Sequence, residues 1–232
     1  MTDTPKPGST IDHLDVRVVV FSLRGDKLQV LLAPVSQAQW ELPGSDIPTG
    51  KSLEETATES LLRMTGLREA YLEQLYTYGD ADRYDVQHPQ KRLVSVVYFA
   101  IVPAGSAGPA GELSRKNPDC LSKWFPVDSL PLLALDHSEI LAYALVRLRY
   151  KLEYTAVGFQ LLPEQFSLSE LQKVYEMILG EKLDKRNFRR RILEAGIIEE
   201  THHLRSGEGR PARLYRYRPD AVAEVKVRRL FP

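Results

Sequence analysis

The 232 residues include a single cysteine, Cys120, so neither an intrachain disulfide nor a cysteine-built zinc cluster is available; its ordinary role is a small, half-buried hydrophobe. Long hydrophobic runs are also lacking. Stretches such as Val18 to Phe21 and Val96 to Val102 stop far short of the roughly 18 residues a spanning helix needs. The polar start, Met1 to Ser9, has no signal-peptide core, and the expectation is a cytoplasmic protein with no membrane partner. No internal repeat appears at the periods of solenoids or propellers. With 43% hydrophobic and 27% charged residues, disorder and collagen are excluded, and the length allows one large or two ordinary domains.

Net charge is missing as well, because 31 Lys and Arg balance 31 Asp and Glu. The balance hides an asymmetry. From Pro163 to Pro232 there are 15 Lys and Arg against 11 Asp and Glu, so this part carries +4 and the remainder −4. Most of the excess follows residue 184, which points to nucleic acid at that end alone.

Two apolar runs, Val16 to Phe21 and Leu28 to Ala33, flank the turn residues Arg24-Gly25-Asp26-Lys27 and read as a hairpin. Ser52 with Glu55 forms a capping box that opens a helix from Ser52 to Thr65, and Gly66 closes it. Leu72 to Tyr78 and Leu93 to Val102 read as strands, the second apolar on both faces and therefore sheet interior. Pro103 to Pro118, rich in Gly, Pro, Ala and Ser, is expected to be an exposed loop. Trp124 to Val127 begins a short strand and turn, and Asp136 or Ser138 caps a helix running to about Lys151. Residues 10–153 are thus expected to form one α/β unit with helices on two faces.

Residues 154–232 are built differently. Ser167 with Glu170 is a second capping box, followed by apolar residues at helical spacing up to Gly180. A second helix, Leu183 to Ala195, ends at Gly196. Ile197 to Leu204 and Ala212 to Tyr217 then pair around a glycine-containing tip. Helix, short turn, basic helix and hairpin is a winged helix-turn-helix order.

In the basic helix, Phe188 and Ile192 lie one turn apart and define the buried side. Arg186 and Arg190 fall opposite Phe188, Asn187 and Arg189 flank them, and Lys185 stands at the start. Arginine reads guanine edges and clamps phosphates, and asparagine pairs with adenine, so these five are candidate DNA contacts. The wing adds His202, His203, Arg205, Arg210 and Arg213, with Gly207 and Gly209 permitting close approach to a phosphate chain. A metal at the His202-His203 pair is not expected, because no third or fourth ligand stands at suitable spacing.

Trp40-Glu41-Leu42-Pro43-Gly44, a loop, and a helix ending Met64-Thr65-Gly66-Leu67 resemble the Nudix hydrolase frame. That family's box runs Gly, five residues, Glu, seven residues, Arg-Glu, an aliphatic, any residue, Glu-Glu, any residue, Gly. With its last glycine on Gly66, the first glycine becomes Ser45, the first glutamate Lys51, Arg-Glu becomes Glu59-Ser60, and Glu-Glu becomes Arg63-Met64. Pyrophosphate cleavage in that family depends on Mg²⁺ held by helix carboxylates. The expectation is no catalytic residue, no metal site and no Mg²⁺ requirement. Glu55 and Glu59 are not substitutes, because the apolar stripe Leu53, Ala57, Leu61 and Met64 faces roughly the other way.

With Leu72 to Asp80 and the late Gly209-Arg210-Pro211-Ala212-Arg213-Leu214-Tyr215-Arg216, nearly the whole chain resembles the Nudix-related transcriptional regulators of NAD metabolism, the NrtR family. The resemblance implies an α+β chain: an N-terminal Nudix-like α/β/α sandwich with a mixed sheet, then a C-terminal winged helix-turn-helix. It implies a repressor of NAD-metabolism genes that senses ADP-ribose or a related NAD metabolite and binds a palindromic double-stranded operator as a homodimer. Wider relatives answer to sugars such as arabinose. Two other readings stay open: an active ADP-ribose-class pyrophosphatase with an appended nucleic-acid module, and an adaptor that meets acidic protein or RNA. Candidate effector contacts, polar or aromatic and near the hairpin, entrance loop or strand ends, are Arg17, Trp40, Glu41, Asp80, Arg83 and Arg92. Asp80, Asp82 and Asp85 lack the spacing of a calcium loop.

Overall fold

The computed structural model describes residues 13–67, 70–85, 91–103, 122–154, 156–205 and 211–221. The expected loop beyond Pro103, Cys120, and the wing-tip residues Gly207, Gly209 and Arg210 lie outside them. The described residues form two compact units. One lies within Met1–Val20, Val30–Ala100 and Gly108–Leu141, and the other within Phe21–Gln29, Ile101–Ala107 and Ala142–Pro232.

The mixed sheet has seven strands: β1 (His13–Arg24), β2 (Lys27–Pro34), β3 (Trp40–Glu41), β4 (Gly44–Asp46), β5 (Tyr71–Tyr78), β6 (Leu93–Val102) and β7 (Lys123–Pro126). Its order is β3-β2-β1-β6-β5, with β4 paired to β1 and β7 to β2. All ten residues of β6 are buried, as its two apolar faces require. A two-residue turn joins β1 to β2, and Gly25 there takes φ +62°, open to glycine without strain. Gly44 has a different reason: a Cβ would lie 2.2 Å from Val16 O, because β4 runs beside β1 with Gly44 opposite Arg17.

Helix α1 (Leu53–Thr65) begins as the sequence predicts. Glu55 N donates to Ser52 Oγ at 3.1 Å and Ser52 N to Glu55 Oε2 at 2.8 Å, and Gly66 ends the helix in the left-handed region. Ala57, Ser60, Leu61 and Met64 are buried, while Glu55 and Glu59 face solvent. Helix α2 spans His137–Tyr154, a turn longer than its apolar pattern suggests.

In the second unit a 3₁₀ turn (Ala156–Leu161) precedes α3 (Leu168–Leu179), α4 (Lys185–Glu194), β8 (Ile198–Arg205) and β9 (Ala212–Tyr217). The α3 stripe centres on fully buried Tyr175, whose ring meets Phe188 of α4 edge-on at 5.5 Å. Phe166 exchanges backbone hydrogen bonds with Tyr215 at 3.0 and 2.8 Å, adding a bridge to the hairpin. Helix α4 starts two residues later than Leu183, because Asp184 caps it by accepting from Asn187 N at 2.8 Å.

This division differs from the expected cut between residues 153 and 154. The hairpin tip and α2 beyond Leu141 group with the second unit, where Asp26 pairs with Lys173 and Arg149 Nε donates to Ile178 O at 3.0 Å.

Candidate DNA-binding surface and effector site

Burial of Phe188 and Ile192 turns the other faces of α4 outward, and Lys185, Arg186, Asn187 and Arg190 are exposed. Arg190 Nη2 donates to Asn187 Oδ1 at 2.8 Å, and Arg190 also sits 3.5 Å from Glu194 one turn on. Arg189 behaves otherwise. It is half-buried and donates through Nη2 to Ser169 Oγ of α3 at 3.1 Å.

The wing carries less free positive charge than its composition suggests. Arg205 is ion-paired with Glu170 and donates to Gln165 O at 3.1 Å, and Arg213 pairs with Glu200 at 2.9 Å. His203 Nδ1 stands 3.0 Å from Gln165 Oε1, and His202 is exposed. Such exposed pairs are weak, and an arriving phosphate competes for their arginines. Among the described residues no group of three or more His, Cys, Asp or Glu is placed to hold a metal, and no helix is long and apolar enough to cross a membrane.

In the first unit a polar chain runs through the apolar core. Arg17 donates through Nε to Asp15 Oδ2 at 2.6 Å, pairs with Glu41 at 2.8 Å and donates to Leu42 O at 3.0 Å. Ser95 Oγ donates to the other Asp15 oxygen and accepts from Arg83 Nη1 at 2.8 Å, while Arg83 Nε reaches Asp136 at 3.0 Å. Arg17 and Arg83, distant in sequence, are therefore joined through Asp15 and Ser95. His137 accepts from Leu42 N at Nδ1 at 3.1 Å, which leaves the ring proton on Nε2. Burial, reinforced by the charges of Arg17 and Arg83, lowers its pKa to about 3, so it is neutral.

The other effector candidates sit around this chain. Trp40 packs edge-on against Phe125 at 4.7 Å, with Lys123 Nζ 5.5 Å from its ring centre. Arg92 donates to Gly79 O at 2.8 Å, and exposed Asp80 lends its backbone carbonyl to Arg83 N at 3.1 Å. The sequence points to Asp136 only as a helix cap and does not point to Asp15, Ser95 or His137. Only the Asp15/Arg17 spacing, two residues apart on one strand face, signals their part.

Side chains at the positions aligned with the Nudix box bond to one another and to the entrance loop. Lys51 is ion-paired with Glu59, Ser45 Oγ and Ser60 Oγ lie 3.1 Å apart, and Arg63 Nη2 is 3.4 Å from Gly44 O.

Residues 158–217, from the 3₁₀ turn to the end of β9, match the model of the NrtR DNA-binding winged helix domain. Over 224 residues, 93% of this chain and 84% of the relative, the sequence is 37% identical to an ADPR responsive transcriptional repressor NtrR of Acinetobacter baylyi. The chain belongs to the NrtR family. This NrtR-family chain also superposes on the crystal structure of Shewanella oneidensis NrtR complexed with a 27mer DNA, with a TM-score of 0.78 and 32% identity over 94% of this chain and 99% of that one. A MutT/nudix family protein from Enterococcus faecalis shares the fold, with a TM-score of 0.69 and 23% identity over 89% of this chain and 88% of that one.

Proposed function

We propose that this chain is a transcriptional repressor of NAD-metabolism genes whose Nudix-like domain binds ADP-ribose or a related NAD metabolite and thereby changes operator affinity. The observation that carries it is the 37% identity, over 93% of the chain, to an ADPR-responsive repressor, joined to an exposed cationic helix with a wing. The protein acts in the cytoplasm as a homodimer on a palindromic operator, whose two half-sites match a two-fold pair of winged helices. It binds its effector without hydrolysing it and without Mg²⁺, because Lys51, Ser60, Arg63 and Met64 occupy the box positions of the metal-binding acids.

Effector control requires the ligand to bind the DNA-incompetent arrangement more tightly, with a coupling of about 1 to 3 kcal/mol being typical. Candidate contacts are Trp40, Glu41, Asp80 and Arg92, with Arg17 holding Glu41 in place and the buried Arg83 holding Asp136. Calorimetric titration with ADP-ribose, with and without Mg²⁺, followed by assay of the same solution for AMP, tests the reading. Binding without AMP is the expected result. Enzyme-dependent AMP would make the chain a pyrophosphatase, and no binding at all would exclude this nucleotide as its effector.

A further inference from the structure

We propose that the cleft between one flank of α4 and the wing seats a DNA backbone phosphate. Lys185 and Arg189 then position the helix on the duplex, while base reading falls to Arg186, Asn187 and Arg190. The inference rests on the DNA-binding reading above and divides its contacts by role.

Helical geometry separates the two sets. At about 100° per residue, Arg186 and Arg190 lie diametrically opposite buried Phe188, with Asn187 beside them. Lys185 and Arg189, four residues apart, share one flank between the buried and exposed faces. That flank borders a cleft of about 760 Å³ lined by Ser167, Ser169, Lys185, Arg189, Arg213 and Tyr215, among others.

Arg189 is held into this cleft and away from the face that meets base edges. Its Nη2 donates to the Ser169 hydroxyl, and its Nε is buried without a hydrogen-bond partner among the described residues. A guanidinium with an unused buried donor beside a neutral hydroxyl matches a phosphate, which offers several acceptor oxygens and a full charge. Among the described residues no carboxylate pairs with Lys185 or Arg189, whereas Arg213 across the cleft is already paired with Glu200. The unneutralised charge of the cleft therefore comes from α4. Contacts of this kind fix register on the duplex and carry no sequence information.

The experiment measures fluorescence anisotropy of the full-length protein on a duplex selected by it in vitro and on a random-sequence duplex, across about 50 to 200 mM salt. Arg189→Ala should weaken both complexes by the same factor and reduce the slope of log affinity against log salt by about one. Arg190→Ala should weaken the selected complex more than the random one. Arg189→Lys keeps the charge and should retain most of the slope, which covers the case in which the alanine variant folds poorly. Loss confined to the selected duplex, or an unchanged salt slope in Arg189→Ala, would overturn the assignment. Wild-type protein that binds neither duplex would instead overturn the DNA-binding reading itself.

Discussion

Arg83 Nε donates to both carboxylate oxygens of Asp136, at 3.1 and 3.0 Å, linking the loop after β5 to the residue before α2. The arginine side chain is only 5% exposed and also donates to Ser95. Removing the arginine leaves Asp136, whose side chain is 25% exposed, and buried Ser95 without their donor, at a cost of about 1 to 3 kcal/mol. Arg83→Ala should therefore lower the urea midpoint strongly. Adding Asp136→Asn to it should recover part of the loss, since no charge is then left unpaired. A single mutant as stable as wild type would show that the pair contributes nothing to the fold.

His137 makes stability depend on pH in a defined direction. The folded group titrates at about 3 and the unfolded one near 6.5, so between these values the unfolded chain alone takes the proton. Stability is full above 6.5 and falls as pH drops below it. His137→Asn can keep an acceptor for Leu42 N but does not titrate, so its unfolding midpoint should fall less than wild type's between pH 7.5 and pH 5. Parallel losses would contradict the assignment. His13 works in the opposite sense: burial lowers its pKa, but Asp46 and Asp85 outweigh that and raise it. Its contribution is present below 6.5 and lost as pH rises through the folded value.

Gly44 ends the Leu-Pro-Gly entrance, and its requirement is steric. An added Cβ would press on Val16 O, a backbone atom held in the sheet, so Gly44→Ala must push β4 away from β1. Overpacking of this kind costs about 1 to 3 kcal/mol. Thermal unfolding should show the loss, and an unchanged midpoint would mean that β4 shifts freely.

Local patterns were legible and long-range polar partners were not. Both capping boxes, the hairpin and the wholly buried β6 follow from hydrophobic period and cap chemistry within a few residues. Asp184 shows the limit of that reading: the apolar Leu183 suggests an earlier helix start, but the cap two residues before Arg186 decides it. The candidate basic residues were visible as a charge run. Their division was not, because the turn of Arg189 toward Ser169 depends on where α3 lies. In the same way Arg17 and Arg83 are 66 positions apart, and only the pairing of β1 with β6 places Asp15 and Ser95 between them.

Titrating ADP-ribose into the complex of the full-length protein with an in-vitro-selected duplex shows whether a nucleotide metabolite governs DNA binding through the Nudix-like domain. With a coupling of about 1 to 3 kcal/mol, saturating ADP-ribose should weaken operator binding by about 5- to 150-fold, without AMP formation. Unchanged affinity at a concentration that calorimetry shows to be saturating would mean that this nucleotide does not govern DNA binding.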